Sequence, residues 1–425
     1  MNRLSTRSAG AAMLALFAVG IVLVACADSD EVDSLGGPSE TDSGGVTTLP
    51  EASAPADAGA EDADADASVP KDAETDAPAR ICSDENFCHS ALPGNHALRG
   101  VWGDGQGIVW AVSSGGSVLR WDGNAWTEHV KGLGALSTIW GSGPTDLWLV
   151  ASNGTVYHGT GASSAEVAFA PVVLPGDVQI PIKSIGGTGP NDVWAVGGLK
   201  DESDWPWQWK GRVLHYDGDA ASGGSGWTLD DELSSRSIAC ASVAAGTSSG
   251  VWIIGQEFRQ DTNELLHGVL LRRAPGAADW TNVDLPMEMA NSWRSSPVEL
   301  NVVATTGTGV WVKGIIETNG SGQQSPLWRG TSTNGGATFS WSYVPQLAWD
   351  PEVNAVWGTA MNEVWAVGKP GRVTRWTGTK WQQAAIRVTN TPVTTPFHGI
   401  WGTSDTDFWV VGDNAALHKT TGTKP

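Results

Sequence analysis

"IWGSGPTDLWLV", residues 139–150, sets Trp140 and Trp148 eight positions apart. The chain holds 24 tryptophans in 425 residues, all beyond residue 100, and this pair is the key to their order. Following the second position gives Trp110, Trp148, Trp194, Trp252, Trp311, Trp365 and Trp409, at spacings of 38, 46, 58, 59, 54 and 44 residues. Eight positions before each stand Trp102, Trp140, Gly186, Ala244, Val303, Trp357 and Trp401. A β-branched residue precedes every one of these, and Gly or Ala follows it. Seven copies in fixed register are an internal repeat.

Each copy reads as four short strands. In the second copy these are "LSTIWGS", "DLWLVA" and "GTVYHG", with a Trp-led fourth strand of the kind seen in "AWTEHV" (125–130). The second strand is apolar on consecutive positions, as expected where a sheet is covered on both faces. Two positions before the second tryptophan the chain carries Asp146, Asp192, Gly250, Gly309, Glu363 or Asp407, with Ile108 as the exception. Exchange of Asp with Gly marks a tight turn and not a catalytic carboxylate. Four-stranded units repeating every 50 or so residues predict an all-β protein, a seven-bladed β-propeller over residues 81–425. The tryptophan columns are then wedges between blades, where a large flat side chain buries about 150–250 Å².

The ring must close. The last copy, from Phe397, supplies three strands, so the fourth is expected ahead of the first copy, in "NFCHSALP" (86–93). That segment aligns with "DWTNVDLP" (279–286), Phe87 standing for Trp280. Strands from both termini in one blade would remove an exposed edge. Cys82 and Cys88 lie close enough together for a disulfide that would brace the closing strand, whereas Cys240 sits in an apolar strand pattern as a buried free thiol.

Residues 1–25 have the layout of a secretory signal: Arg3 and Arg7 precede an apolar run from Ala11 to Val24. The sequence Leu23-Val24-Ala25-Cys26 resembles the lipobox of bacterial lipoproteins, which implies acylation at Cys26 and a membrane held through lipid. Residues 26–80 are then a linker. From residue 27 onward they carry 15 Asp and Glu against Lys71 and Arg80, and no aromatic residue. Such a segment cannot offset its ordering entropy by burial and is expected to be a disordered, self-repelling tether. It holds −13 of the formal charge of −21; the leader holds +2, leaving −10 for the rest. No basic stripe appears, so nucleic acid is not expected as a partner.

"STNGGATF" (332–339) resembles the Asp-box of sialidase-type propellers, with Asn334 for Asp and Phe339 for Trp. In that family the box is a turn between third and fourth strands. The recurrent "W-G-x-x-x-x-D-V-W-A-V-G" with "RWDG" also resembles repeats of predicted bacterial surface lipoproteins, and in rhythm those of tectonin-type lectin propellers. Sialidase chemistry would need a tyrosine nucleophile, an arginine triad and an acid. Only Tyr157, Tyr216 and Tyr343 exist, each in a strand pattern, and there is no HExxH, GxSxG or His/Cys metal spacing. His158 and His215 share a third-strand position held elsewhere by Arg120, Arg329 and Arg375. A non-enzyme without cofactor or metal is expected.

Two features exceed what a scaffold needs. Copies three to five insert long links between second and third strands, "GGLKDESDWPWQWKG", "GQEFRQDTNELLHG" and "GIIETNGSGQQSP", where other copies have links such as "SSGG". The first offers Trp205, Trp207 and Trp209 in a polar, Pro-containing loop. Three positions before the upstream column stand Arg99, Ser137, Lys183, Ala241, Leu300, Asn354 and His398, a ring expected at the channel mouth on the same face. Trp205, Trp207, Trp209, Arg99, Lys183, His398 and Asn354 are therefore the predicted ligand contacts. The function this implies is a monomeric, lipid-anchored envelope protein, at the outer membrane or cell surface, binding a protein or glycan. The alternative is a secreted carbohydrate-active enzyme, a glycosidase or lyase on a sialidase-like propeller, and clustered carboxylates in the channel would favour it.

Overall fold

The computed structural model describes residues 81–425 apart from 219–224, 261–264, 288–295, 319–321, 345–351, 388–392 and 423–425. The signal sequence, Cys26 and the acidic linker lie outside the described residues. The chain forms seven antiparallel sheets, each with a path of four strands and one with a short fifth, six of them spanning residues 98–130, 136–171, 182–229, 238–282, 299–344 and 352–383. Each first strand packs beside the first strands of both neighbouring blades, so the seven line a central channel. It is a seven-bladed β-propeller.

Blade 7 closes the ring with both termini. Phe397–Ser404, Asp407–Gly412 and Ala415–Lys419 are joined by Phe87–His89, which pairs Phe87 with Lys419 and His89 with Leu417. The pairing is extended by backbone bonds from Ser90 to Ala416 and from Thr420 to Asn86. Cys82 and Cys88 are disulfide-bonded beside this strand. Phe87 is fully buried, edge-on to Trp365 of blade 6 and Phe408 of blade 7. Burying both faces of a blade in this way is what a single sheet could not do alone.

The second-strand tryptophans are the wedges. Each meets its own third strand on one side and the next blade on the other. Trp148, 1 % exposed, stacks on His158 with ring centroids 3.8 Å apart, and meets Tyr216 and Trp227 of blade 3 at 5.1 and 5.2 Å. The cross-strand position is used in two ways. In blades 2, 3 and 7 it is a histidine bound to the turn carboxylate of its own blade: His158 to Asp146, His215 to Asp192 and His418 to Asp407, at 2.6, 2.9 and 2.8 Å. In blades 1, 4, 5 and 6 it is an arginine tied to the next blade. Arg120 donates to Ser164, Arg272 to the Ala337 and Gly336 carbonyls, Arg329 to Asn362 and Arg375 to Asp405. The turn carboxylates are structural acceptors.

One register differs from the sequence expectation. In blade 5 Trp311 pairs with Ala304 and not with Val303, because its strands run in step to the Thr306–Gly309 pair, without the register shift that adds a residue before this turn in blades 2, 3, 6 and 7. The channel position of that blade is consequently Asn301, which is exposed, while Leu300 is fully buried. Cys240 is a buried free thiol, its pKa pushed up to about 12 by burial.

Candidate functional site

The links between second and third strands and the links between blades share one face of the ring, hereafter the loop face; the tight strand turns occupy the other, the turn face. On the loop face three neighbouring blades rise above the rest. Their second strands, Asp192–Asp201, Gly250–Phe258 and Gly309–Thr318, run nine or ten residues, against five in Val109–Ser113 of blade 1. Much of what the sequence presented as inserted loop is thus strand: Lys200 pairs with Trp209, Asp201 with Gln208 and Phe258 with Leu266. In blade 5 a short strand, Gly322–Gln324, does the same.

The three tryptophans of blade 3 have different fates. Trp209 lies in the strand Gln208–Tyr216 and is 3 % exposed, packed on Phe258 and Ala239 of blade 4, so its placement in an open loop is corrected. Strand alternation explains this, because Trp207 and Trp209 face one way and Gln208 the other. Trp207 is half-buried, 5.5 Å from Phe258. Trp205 is 64 % exposed, edge-on to Phe258 at 5.4 Å and to Trp207 at 5.7 Å. The outcome is one open indole on a fixed aromatic base that bridges two blades. Phe258 was missed by sequence reasoning; on its face of the strand the polar Gln256 interrupts the apolar alternation between Ile254 and Phe258.

The channel positions share a backbone device. Every first strand carries a register shift there, between Leu98 and Gly100, Leu136 and Thr138, Ile182 and Ser184, Cys240 and Ser242, Leu300 and Val302, Val353 and Ala355, and Phe397 and Gly399. Such bulges leave one residue unpaired and re-aim its side chain. The bulged residues are Arg99, Ser137, Lys183, Ala241, Asn301, Asn354 and His398, six of them polar. Arg99, His398 and Asn354 form one network across blades 1, 7 and 6. Arg99 and His398 lie 2.6 and 3.5 Å from Asp413, and Asn354 donates to the Phe397 carbonyl at 2.7 Å. Burial and then the nearby Arg99 charge lower the pKa of His398. Lys183 belongs to a second group: part of its side chain is exposed, yet the surrounding protein desolvates its ammonium, and that desolvation, with Lys200 close by, lowers its pKa. Lys200 is 3.6 Å from Glu299 of blade 5 and 5.2 Å above the Trp209 ring. These groups offer hydrogen bonds, charge and one aromatic face; no nucleophile is paired with a base among them. Among the described residues no group of three or more His, Cys, Asp or Glu is placed to hold a metal ion.

The turn at 332–339 joins the third and fourth strands of blade 5, Leu327–Thr331 and Ser340–Val344. Ser332 accepts from the Gly336 amide at 2.8 Å and Asn334 from the Thr338 amide at 3.0 Å. Gly335 and Gly336 hold φ of 70° and 90°, which side chains resist. Phe339 leaves the turn to meet Trp252 of blade 4 at 5.0 Å.

A scan against protein-family models finds no match, and no curated protein matches the chain. Solved structures do match. One is "YCF48 bound to D1 peptide", at a TM-score of 0.53 and 13% identity, covering 79% of this chain and 97% of that one. At that identity the likeness is one of fold, and 537 chains share such a likeness.

Proposed function

We propose that this protein is a lipid-anchored envelope propeller, non-catalytic, that captures a polypeptide or glycan partner on its loop face. The observation that carries the reading is Trp205, an open indole held by Trp207 and Phe258 on the tall hairpins of blades 3 and 4. Among the described residues Trp205 is the aromatic side chain left exposed, and tryptophans are enriched among the residues that dominate interface energetics. The polar bulges of the channel mouth would supply orientation beside it. A polypeptide is the better-supported partner, since a propeller of similar fold is known in complex with a peptide.

The non-catalytic reading rests on the tyrosines. Tyr157 donates its hydroxyl to the Leu133 carbonyl at 3.0 Å, Tyr216 packs on Trp148 and Tyr343 on Trp328, so all three serve the blades and none resembles a sialidase nucleophile. The turn at Ser332–Phe339 is, on this reading, an Asp-box kept for structure. The anchor rests on Arg3, Arg7, the apolar run and Cys26.

Envelope pull-down and a glycan array with the wild-type chain and Trp205→Ala test the reading. Captured partners that depend on Trp205 support it; a partner set unchanged by Trp205→Ala overturns it. Mass spectrometry of the mature N-terminus tests the anchor, which an unmodified terminus at any other residue would exclude.

A further inference from the structure

The junctions between blades repeat one packing scheme, and a single junction departs from it on the turn face, away from the site above. One position after the cross-strand His or Arg, the third strands carry Trp121, Gly159, Tyr216, Arg273, Gly330, Trp376 and Lys419. This residue covers the second-strand tryptophan of the preceding blade. Trp121 meets Trp409 at 5.0 Å, Tyr216 meets Trp148 at 5.1 Å and Trp376 meets Trp311 at 5.4 Å. Where the position is glycine, a fourth-strand ring fills it: Phe169 lies against Gly159 and Trp341 against Gly330. Lys419 is absorbed by ring closure, its ammonium donating to the Glu85 carbonyl at 2.6 Å and lying 4.7 Å from the Phe87 ring.

At the junction of blades 3 and 4 the fourth-strand Trp280 meets Trp194 edge-on at 5.4 Å, but the third-strand position holds the charged Arg273 in place of a ring or glycine. Its guanidinium lies 5.2 Å over Trp194, and its Nε donates to the Ala277 carbonyl at 2.8 Å. No carboxylate pairs with it among the described residues. Where blades 1, 3 and 6 place a ring, the guanidinium here borders a cleft of about 380 Å³ between blades 3 and 4, lined by Thr188, Asp192, His215, Thr247 and Arg273. That is room for a small ligand group. The oxygens of Asp192 are already taken, by Thr188 at 2.5 Å, His215 at 2.9 Å and Trp194 at 3.0 Å. The group still seeking a partner is therefore the guanidinium, whose remaining N–H donors match a carboxylate in a planar, two-point fashion.

We propose that this cleft is a docking site for an acidic side chain or C-terminal carboxylate of a polypeptide, held by Arg273. A glycan acid is disfavoured on the same geometry: His215 stacks on one face of Trp194, at 4.3 Å, and Arg273 covers the other, so no aromatic face is open to a sugar ring.

The test titrates the full chain with a fluorescent Glu-rich peptide and its Gln counterpart, at low and at physiological salt. Saturable binding of the Glu peptide, at least about tenfold tighter than the Gln peptide, is expected. Arg273→Met should remove that preference, and so should Arg273→Trp, which places there the indole that blades 1 and 6 carry and should leave Tm unchanged or higher. The Trp194 indole N–H resonance should shift when the Glu peptide is added to the wild type, a readout independent of any variant. Equal binding of the two peptides, binding that survives both substitutions, or an unmoved Trp194 signal overturns the proposal. Loss of Glu-peptide binding in Trp205→Ala would overturn it as well, by moving the contact to the loop face.

Discussion

Trp148 and Trp205 are the same residue type used to opposite ends. Trp148 is gripped by His158 within its blade and by Tyr216 and Trp227 from the next, with 1 % of its surface left open. Trp205 touches Trp207 and Phe258 along its edges and keeps 64 % open. The first obeys the repeat; the second stands outside it, at the tip of a hairpin that four blades lack. In a molecule built by repetition, the residues free to carry function are those that the packing between blades does not require.

That comparison is broken most directly at the wedge. Trp148→Ala empties a fully enclosed junction whose neighbours are held by strand pairing and cannot collapse inward, so a loss of about 3–5 kcal/mol is expected in chemical denaturation. A loss below about 1 kcal/mol would mean that the blades do not depend on their wedges. Phe87→Ala should cost about 3 kcal/mol, because it hollows the contact through which the closing strand meets blades 6 and 7. Hydrogen exchange should then rise first in Phe87–His89 and Ala415–Lys419, since an opened ring exposes a strand edge.

Trp209 sharpens the comparison, standing between the two extremes. It is buried, but at the rim, against Phe258 and Ala239, where neighbouring side chains can close over a vacancy. Trp209→Ala is expected to cost about 2 kcal/mol, less than the wedge. It should also loosen Trp205 and weaken partner capture indirectly, which Trp209→Phe would restore.

The architecture was legible because wedge packing demands one residue type at one register in every blade, and seven copies of a column are hard to mistake. The closing strand was legible for the same reason, Phe87 standing where the other blades place an aromatic ring. Blade 5 was misread by one residue because it lacks the register shift that precedes the first turn in blades 2, 3, 6 and 7, and Val303 and Ala304 both satisfy a small-or-branched pattern. The site was harder to read. A polar stretch containing Pro206 looks like a loop whether or not its hydrogen bonds continue a ladder, so Trp209 gave no sign of its burial. Phe258 joins Trp205 only through contacts between blades, to which no spacing along the chain corresponds. The cleft at Arg273 was invisible for another reason: it follows from a charged side chain standing where three other junctions place a ring, in contact with a blade that no spacing along the chain identifies.

A smaller effect follows from Asp192. The hydrogen bond from His215, with Thr188 and Trp194, holds its pKa down to about 2, below the usual carboxylate value near 3.9. A folded-state pKa below the unfolded one gives stability that is present above about pH 4 and disappears as pH falls through about 2. With 39 % of this side chain open to solvent the contribution is modest. Asp192→Asn should flatten the acid limb of a stability-versus-pH curve in that window and leave it unchanged near neutrality in slope; an acid limb identical to that of the wild type would deny the pairing its role.

The smallest expected stability change belongs to Trp205, and it decides the functional half of the comparison. Its indole rests on Trp207 and Phe258 only through ring edges, so Trp205→Ala should move the unfolding free energy by no more than about 0.5 kcal/mol. The same substitution should cost about 2 kcal/mol or more in partner affinity, since an open tryptophan on a rigid base loses little entropy on binding and buries a large area. Melting and binding must be measured on one preparation, beside Trp148→Ala at a temperature where that variant is still folded. If Trp205→Ala melts with Trp148→Ala while capture is untouched, the indole is packing and the loop face has lost its principal contact. If capture falls while melting holds, the two tryptophans divide as their surroundings say they should, one holding the blades apart at the right angle and the other meeting the partner.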